Sequence, residues 1–235
     1  MSFFKKTISL NDAVEGKVIY ILALVFIIQT VYPMTVSESP IFLLIYQFMY
    51  AMLIVSGILV ARESPRYMVI LIFLALSWLI AGAIYTFNQD VVWVLTLTFI
   101  VIASFQAVVI RVLAEFILVM KTVTRDVIYA AIAIYLMIGG IFGVLFGFLE
   151  TLTFTLTGQH AIIDSAANMN EAVPWQTMLY YSYATLTTLG YGDILPVTMW
   201  ARSLASVEAM IGVLYTTIIM ARLVGIYVSN RENSA

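Results

Sequence analysis

The stretch Thr187-Thr188-Leu189-Gly190-Tyr191-Gly192-Asp193 decides how the rest of this chain is read. Glycines at 190 and 192 can take positive φ, so that successive carbonyls all face one way. The Thr188 hydroxyl adds one more oxygen at the inner end of that column. Four such strands facing each other would make rings of oxygens that replace the water around a dehydrated cation.

The surroundings are those of a membrane protein. The chain of 235 residues is 63% hydrophobic and 10% charged, a balance no soluble domain of that length tolerates. A hydrocarbon core of about 30 Å needs about 20 apolar residues per helical crossing. Six segments meet that length, at 14–33, 40–61, 66–87, 91–109, 127–149 and 199–227. Lys5, Lys6 and Lys17 precede the apolar run of the first, but Asp12 and Glu15 sit poorly in a leader and no small-residue cleavage site follows Ile28, so it reads as a retained helix. There is no cysteine, and the single histidine, His160, reads as an exposed loop residue.

Charge fixes an orientation. With the N-terminus in the cytosol, Lys5, Lys6, Lys17, Arg62, Arg66, Arg111, Lys121, Arg125, Arg222 and Arg231 fall on the inner side. Arg202 is left outside with Glu38, Asp90, Glu150, Asp164, Glu171 and Asp193, acids that would draw cations to the outer surface. Both termini are then cytosolic.

Ser39-Pro40 and Ser64-Pro65 pair a capping serine with a proline at the first helical position, and Asp90 is placed to cap the fourth helix. Short loops make helices one to four an antiparallel bundle. The bundle lacks the chemistry to sense voltage. Each gating charge contributes about 2.3 kcal/mol per 100 mV, yet Val91 to Val109 carries no charge and the second and third helices carry no acids. Arg111, Glu115, Thr122 and Asp126 recur at helical spacing, which predicts an interfacial linker helix over 110–125; the alternative is a plain continuation of helix four with Arg111 snorkelling to the interface.

In the fifth helix Gly139, Gly143 and Gly147 form a small-residue stripe, expected to face helix six. Thr151 to Thr157 alternates Thr with Leu or Phe and ends at Gly158, a period-2 pattern that predicts a short strand or a hairpin with residues 161–164. Pro174 opens a helix of about 13 residues, too short to span and so re-entrant, with Glu171 near its positive end. Its negative end points toward the 188–192 stretch, favouring a cation there. In helix six, Arg202 and Arg222 bracket the hydrocarbon. Glu208 lies between them, an intramembrane acid that is either functional or a structural hydrogen-bonding group.

The 187–193 stretch resembles the selectivity filter of the tetrameric potassium channels, whose usual form has Val where this chain has Leu189. The resemblance covers about 100 residues; the first 125 match six-helix members only in helix count and order. It implies that Thr188, Leu189, Gly190 and Tyr191 supply carbonyls to K⁺, that Gly192 permits the outward turn, and that Thr187 and Asp193 support the filter. Tyr180 and Tyr181 stand where members commonly have two bracing Trp, Ala184 stands where some have a carboxylate, and Gly212 matches the usual hinge glycine.

The expected fold is an all-α integral membrane protein, a four-helix bundle followed by a two-helix pore module with a re-entrant helix. The bundle takes 1–109, the linker 110–125 and the pore domain 126–229, with a cytosolic tail at 230–235. Within the pore domain the outer helix is 127–149, the turret 150–173, the pore helix 174–187, the filter 188–193 and the inner helix 198–227. The implied function is passive K⁺ conduction by a homotetramer in a plasma membrane, with a poorly selective cation channel as the alternative. No enzyme arrangement, organic cofactor, nucleic-acid partner or cytosolic ligand-binding domain is expected. Small size and the lack of an Asn-x-Ser/Thr sequon fit a prokaryotic member.

Overall fold

A computed structural model describes residues 16–33, 40–61, 65–87, 92–165 and 173–232. The expected caps at Ser39, Ser64 and Asp90, the acids Glu38 and Glu171, and the lysines at 5 and 6 lie outside them. The chain is an all-α membrane fold: α1 (Val18–Val31), α2 (Pro40–Val60), α3 (Pro65–Phe87), α4 (Val92–Val119), α5 (Arg125–Thr157), α6 (Trp175–Leu186) and α7 (Met199–Glu232). Two short strands, β1 (Ile162–Asp164) and β2 (Ile194–Pro196), flank α6 in sequence. Among the described residues five helices, α2 to α5 and α7, are long and apolar enough to cross a membrane. The described part of the first expected span is shorter, with 14 residues in α1. α7 continues to Glu232, into the segment expected as a tail.

α4 packs between α3 and α5, and α1 lies against both α2 and α5. Their shared core buries Ile21, Phe105, Leu113 and Met137. Polar side chains in it find partners across helices: Gln106 of α4 donates to the Tyr50 hydroxyl of α2 at 3.1 Å, and Tyr50 stacks on Trp78 of α3. At the lower end of the bundle the Gly16 N–H donates to Asp126 at 3.1 Å, tying the start of α1 to the start of α5.

The separate linker helix expected over 110–125 does not form. α4 runs unbroken through Arg111 to Val119, and α5 starts at Arg125. Val112, Leu113, Phe116 and Ile117 are all buried in the core that holds the upper part of α4, so its apolar face has no reason to leave the bundle. Arg111 pairs with Glu115 one turn on at 2.8 Å, and Glu115 also accepts from the Tyr67 hydroxyl of α3. The last carbonyls of α4, Ile117 and Leu118, accept from the Arg222 guanidinium of α7 at 3.1 and 2.9 Å, a cation at a helix C-terminus.

The strand expected over Thr151 to Thr157 is helix. α5 continues through it, and Gly158 at φ 67° forms the left-handed cap with its N–H on the Phe154 carbonyl. The turn signal at Gly158 was therefore a helix stop. The strand lies in the 161–164 stretch, expected as the hairpin partner, but its mate is different: β1 pairs antiparallel with β2, Ile162 opposite Pro196 and Asp164 opposite Ile194.

Glu150 holds this outer region together. Read from sequence as a surface acid, it is fully buried. Its Oε2 accepts from the Ala161 and Ile162 N–H groups at 2.8 and 3.0 Å, and its Oε1 from the Val173 N–H at 3.3 Å. His160, expected to be exposed, is instead 8% exposed in its side chain and places Nδ1 2.7 Å from Oε1. One carboxylate thus fixes the end of α5, the start of β1 and the entry to α6. Glu150→Ala orphans three buried N–H groups at about 1–3 kcal/mol each, so we expect a marked fall in thermal unfolding temperature and faster amide exchange at Ala161, Ile162 and Val173. Unchanged exchange at those three amides would contradict the assignment.

Candidate functional site

The site is built on α6, which lies against α5 and α7. The glycine stripe of α5 receives it. A Cβ on Gly139 would run into the Tyr183 ring, and one on Gly143 would sit 2.6 Å from Leu179 Cδ2 and 3.1 Å from Leu179 Cα. Gly139 and Gly143 therefore run antiparallel to Tyr183 and Leu179, one turn per step. Gly147, one turn on, instead makes room for the Phe99 ring of α4, 3.1 Å from its would-be Cβ, with Trp175 Cβ of α6 at 3.7 Å. The stripe thus faces α6 and, at its outer end, α4, where sequence reading expected helix six. The two backbones approach closely enough for hydroxyls to reach carbonyls: Ser182 Oγ lies 2.6 Å from the Gly139 carbonyl, and the Tyr183 hydroxyl donates to Leu136 O at 2.7 Å.

Beyond α6 the backbone alternates in hand. Thr188, Gly190 and Gly192 have φ of 58°, 54° and 81°, while Leu189 and Tyr191 between them are not positive. For a β-branched residue the left-handed region costs on the order of 1–3 kcal/mol, so Thr188 is held there by its surroundings. What holds it is the end of α6. The Thr188 N–H donates to Thr185 O at 3.0 Å, and the N–H groups of Leu189 and Gly190 both donate to Ala184 O, at 2.8 and 3.1 Å. In a planar trans peptide the carbonyl points opposite the N–H that follows it. The carbonyls of Thr187, Thr188 and Leu189 are thus turned away from α6.

The same bonds satisfy the last carbonyls of α6. Tyr183 O accepts from Thr187, Ala184 O and Thr185 O accept as above, and Leu186 O takes the Tyr135 hydroxyl of α5 at 3.3 Å. A Cβ on Gly212 would overlap this Leu186 carbonyl. Gly212 is thus where α7 touches the end of α6, a requirement for glycine distinct from hinging.

The outer end is pinned separately. Tyr180 donates to Asp193 Oδ2 at 2.7 Å, and its ring stacks on Tyr191 at 6.5 Å with the planes 7° apart. The bond to Asp193 pushes the Tyr180 phenol up to about 12. Asp193 Oδ1 accepts from the Ile194 N–H at 3.1 Å, and its carbonyl accepts from the Ser165 N–H and Oγ at 3.1 and 3.0 Å. Tyr181 turns the other way, packing edge-on to Phe146 of α5 at 4.8 Å. Its contribution is to the core under α6. Sequence reading missed Ser182, Tyr183 and Tyr135, whose signal is a hydroxyl one helical turn from a small-residue contact.

Residues 187–193 are exposed in the single subunit, as are large apolar side chains along α7, among them Trp200, Met210, Leu214 and Ile218. Glu208 of the same helix is fully buried and meets Ser182 Oγ.

The family model described as "Ion channel" matches residues 127–229. That match, somewhat under half of the chain, runs from the first turn of α5 to near the end of α7, includes every group described above, and supports an ion channel. No solved structure matches the chain.

Two substitutions separate contact from flexibility. Gly143→Val overpacks the α5–α6 contact by about 1–3 kcal/mol, and we expect lower thermal stability in detergent. Gly212→Ala pushes on the Leu186 carbonyl, so the expected effect is on ion discrimination. A variant that alters open probability but leaves discrimination intact would favour a hinge and contradict the contact role.

Proposed function

We propose that the chain forms a homotetrameric, potassium-selective channel. The carbonyls of Thr188, Leu189, Gly190 and Tyr191 and the Thr188 hydroxyl would bind K⁺ in passage. Gly192 provides the outward turn, Thr187, Asp193 and Tyr180 support the filter, and Tyr181 supports it indirectly by packing α6 onto Phe146. The observation that carries this reading is the alternation of backbone hand over residues 188–192, with the N–H groups of Thr188, Leu189 and Gly190 spent on α6. A backbone so turned offers oxygens in a row, which suits a cation shedding water.

Exposed peptide groups between two membrane-spanning helices support assembly. Irregular backbone at membrane depth is tolerated only against protein or water. One subunit leaves residues 187–193 open, and copies around an axis would enclose them together with α7. Four copies follow from the filter resemblance. Both termini would be cytosolic, in a plasma membrane, by the distribution of Lys and Arg. The bundle of α1 to α4 would not move with voltage, because α4 carries a single basic residue, Arg111, already paired with Glu115.

The mass of the detergent-solubilised assembly should equal four chains. Reversal potentials under opposed K⁺ and Na⁺ gradients should lie near the K⁺ equilibrium value; a value near zero would favour the poorly selective alternative. Open probability should be flat with voltage, since one gating charge per subunit at about 2.3 kcal/mol per 100 mV would already give a visible slope.

A further inference from the structure

Two glutamates in the described chain are fully buried, Glu150 and Glu208, and their surroundings differ in kind. Glu150 has three backbone N–H groups and the His160 ring around its two oxygens. Glu208 has one partner, Ser182 Oγ at Oε1, while its Oε2 has none. Ser182 is itself fully buried and lies 2.6 Å from the Gly139 carbonyl.

The hydrogens can be counted. A serine hydroxyl has one hydrogen to donate and a backbone carbonyl has none. The contact between Ser182 and Gly139 therefore uses the serine hydrogen. The contact between Ser182 and Glu208 then needs a hydrogen from the glutamate, and both contacts are too short to share a single bifurcated one. The chain Glu208 to Ser182 to Gly139 is complete only when the Glu208 carboxyl is protonated and donates. It joins α7, α6 and α5 at the point where Gly139 admits Tyr183.

We propose that Glu208 is a proton-dependent positioning residue: its proton lets Ser182 bind Gly139, and loss of that proton draws the Ser182 hydroxyl to the carboxylate and removes the Ser182 tie between α6 and α5. The proposal rests on the reading that α6 carries the ion-selecting stretch. A carboxylate formed at this site has the Ser182 hydroxyl as its donor, and an unpaired buried charge is costly enough to take it. The titratable groups facing Glu208 are Tyr135 of α5 and Tyr181 and Tyr183 of α6. Tyr135 and Tyr183 direct their hydroxyls to Leu186 O and Leu136 O. On its own helix Arg202 donates to Pro196 O, at the end of β2. Once Ser182 turns, the Gly139 carbonyl loses its partner, and α6 keeps the Tyr183 and Tyr135 hydroxyls as its remaining ties to α5.

The test uses the purified full chain in liposomes. Rb⁺ uptake by the wild type should fall about threefold or more as the pH on both sides rises from about 6 to about 9, over the width of a single-site titration. Glu208→Gln presents an amide that donates to Ser182 at every pH, so its uptake should not vary over that range. The infrared carbonyl band of a protonated carboxylic acid should be present in the wild type, disappear on alkalinisation, and be missing from Glu208→Gln. Should that variant fail to assemble, the wild-type band decides, and its disappearance in step with uptake supports the proposal. A pH response retained in Glu208→Gln, or no acid band lost by that substitution, would overturn it. Absence of uptake at any pH with the band behaving as described would instead count against ion conduction while leaving the protonated Glu208 in place.

Discussion

A peptide whose N–H is committed to one side must turn its carbonyl to the other, and the candidate site depends on that constraint. Ala184 O accepts from both Leu189 and Gly190, and Thr185 O from Thr188. These three bonds convert the end of α6 into a template for the backbone that follows. They also explain why Thr188 persists at φ 58°, where an unsupported threonine would not stay. The residues beyond Gly190 are fixed by Asp193, through Tyr180 and Ser165.

A template is useful only if it is itself held, and in lipid the usual drive for burying apolar helices is weak. Here α6 is seated by close approach and by hydroxyls. Gly139 and Gly143 remove side chains from the contact with α5, and Ser182 and Tyr183 then reach α5 carbonyls. α7 presses on the other side, with Gly212 against Leu186. Glu150 closes the outer end by gathering the amides of Ala161, Ile162 and Val173. The four-helix bundle is linked to this unit through the α4–α5 contact and through Arg222 on the last turn of α4.

How much of this was legible in the sequence follows from the range over which each signal acts. Five of the six expected spans, the short α6 and the Gly190 and Gly192 conformations depend on local composition and backbone sterics, and they read well. Tyr180 also met its expected neighbours, since its place relative to Asp193 follows from the motif. Failures came where distant partners decide. Thr151 to Thr157 alternates like a strand, yet it continues a helix whose end is set by Gly158 and by Glu150 contacts with residues 11 to 23 positions away. Arg111 and Glu115 suggested an interfacial helix, but the buried face of Val112, Leu113 and Phe116 keeps that stretch in the bundle. The glycine stripe was visible, but its partner was not, because spacing alone does not distinguish α6 from α7.

The central claim is that carbonyls turned away from α6 meet the permeant ion. Isotope-edited infrared spectroscopy tests it directly, with ¹³C=¹⁸O placed singly at Thr188, at Leu189 and, as a control, at Ala184, whose carbonyl is engaged by two amides. The account predicts that the Thr188 and Leu189 bands shift when K⁺ replaces Na⁺ while the Ala184 band stays. Bands at Thr188 and Leu189 that are indifferent to the cation, or an Ala184 band that moves as far as they do, would contradict it.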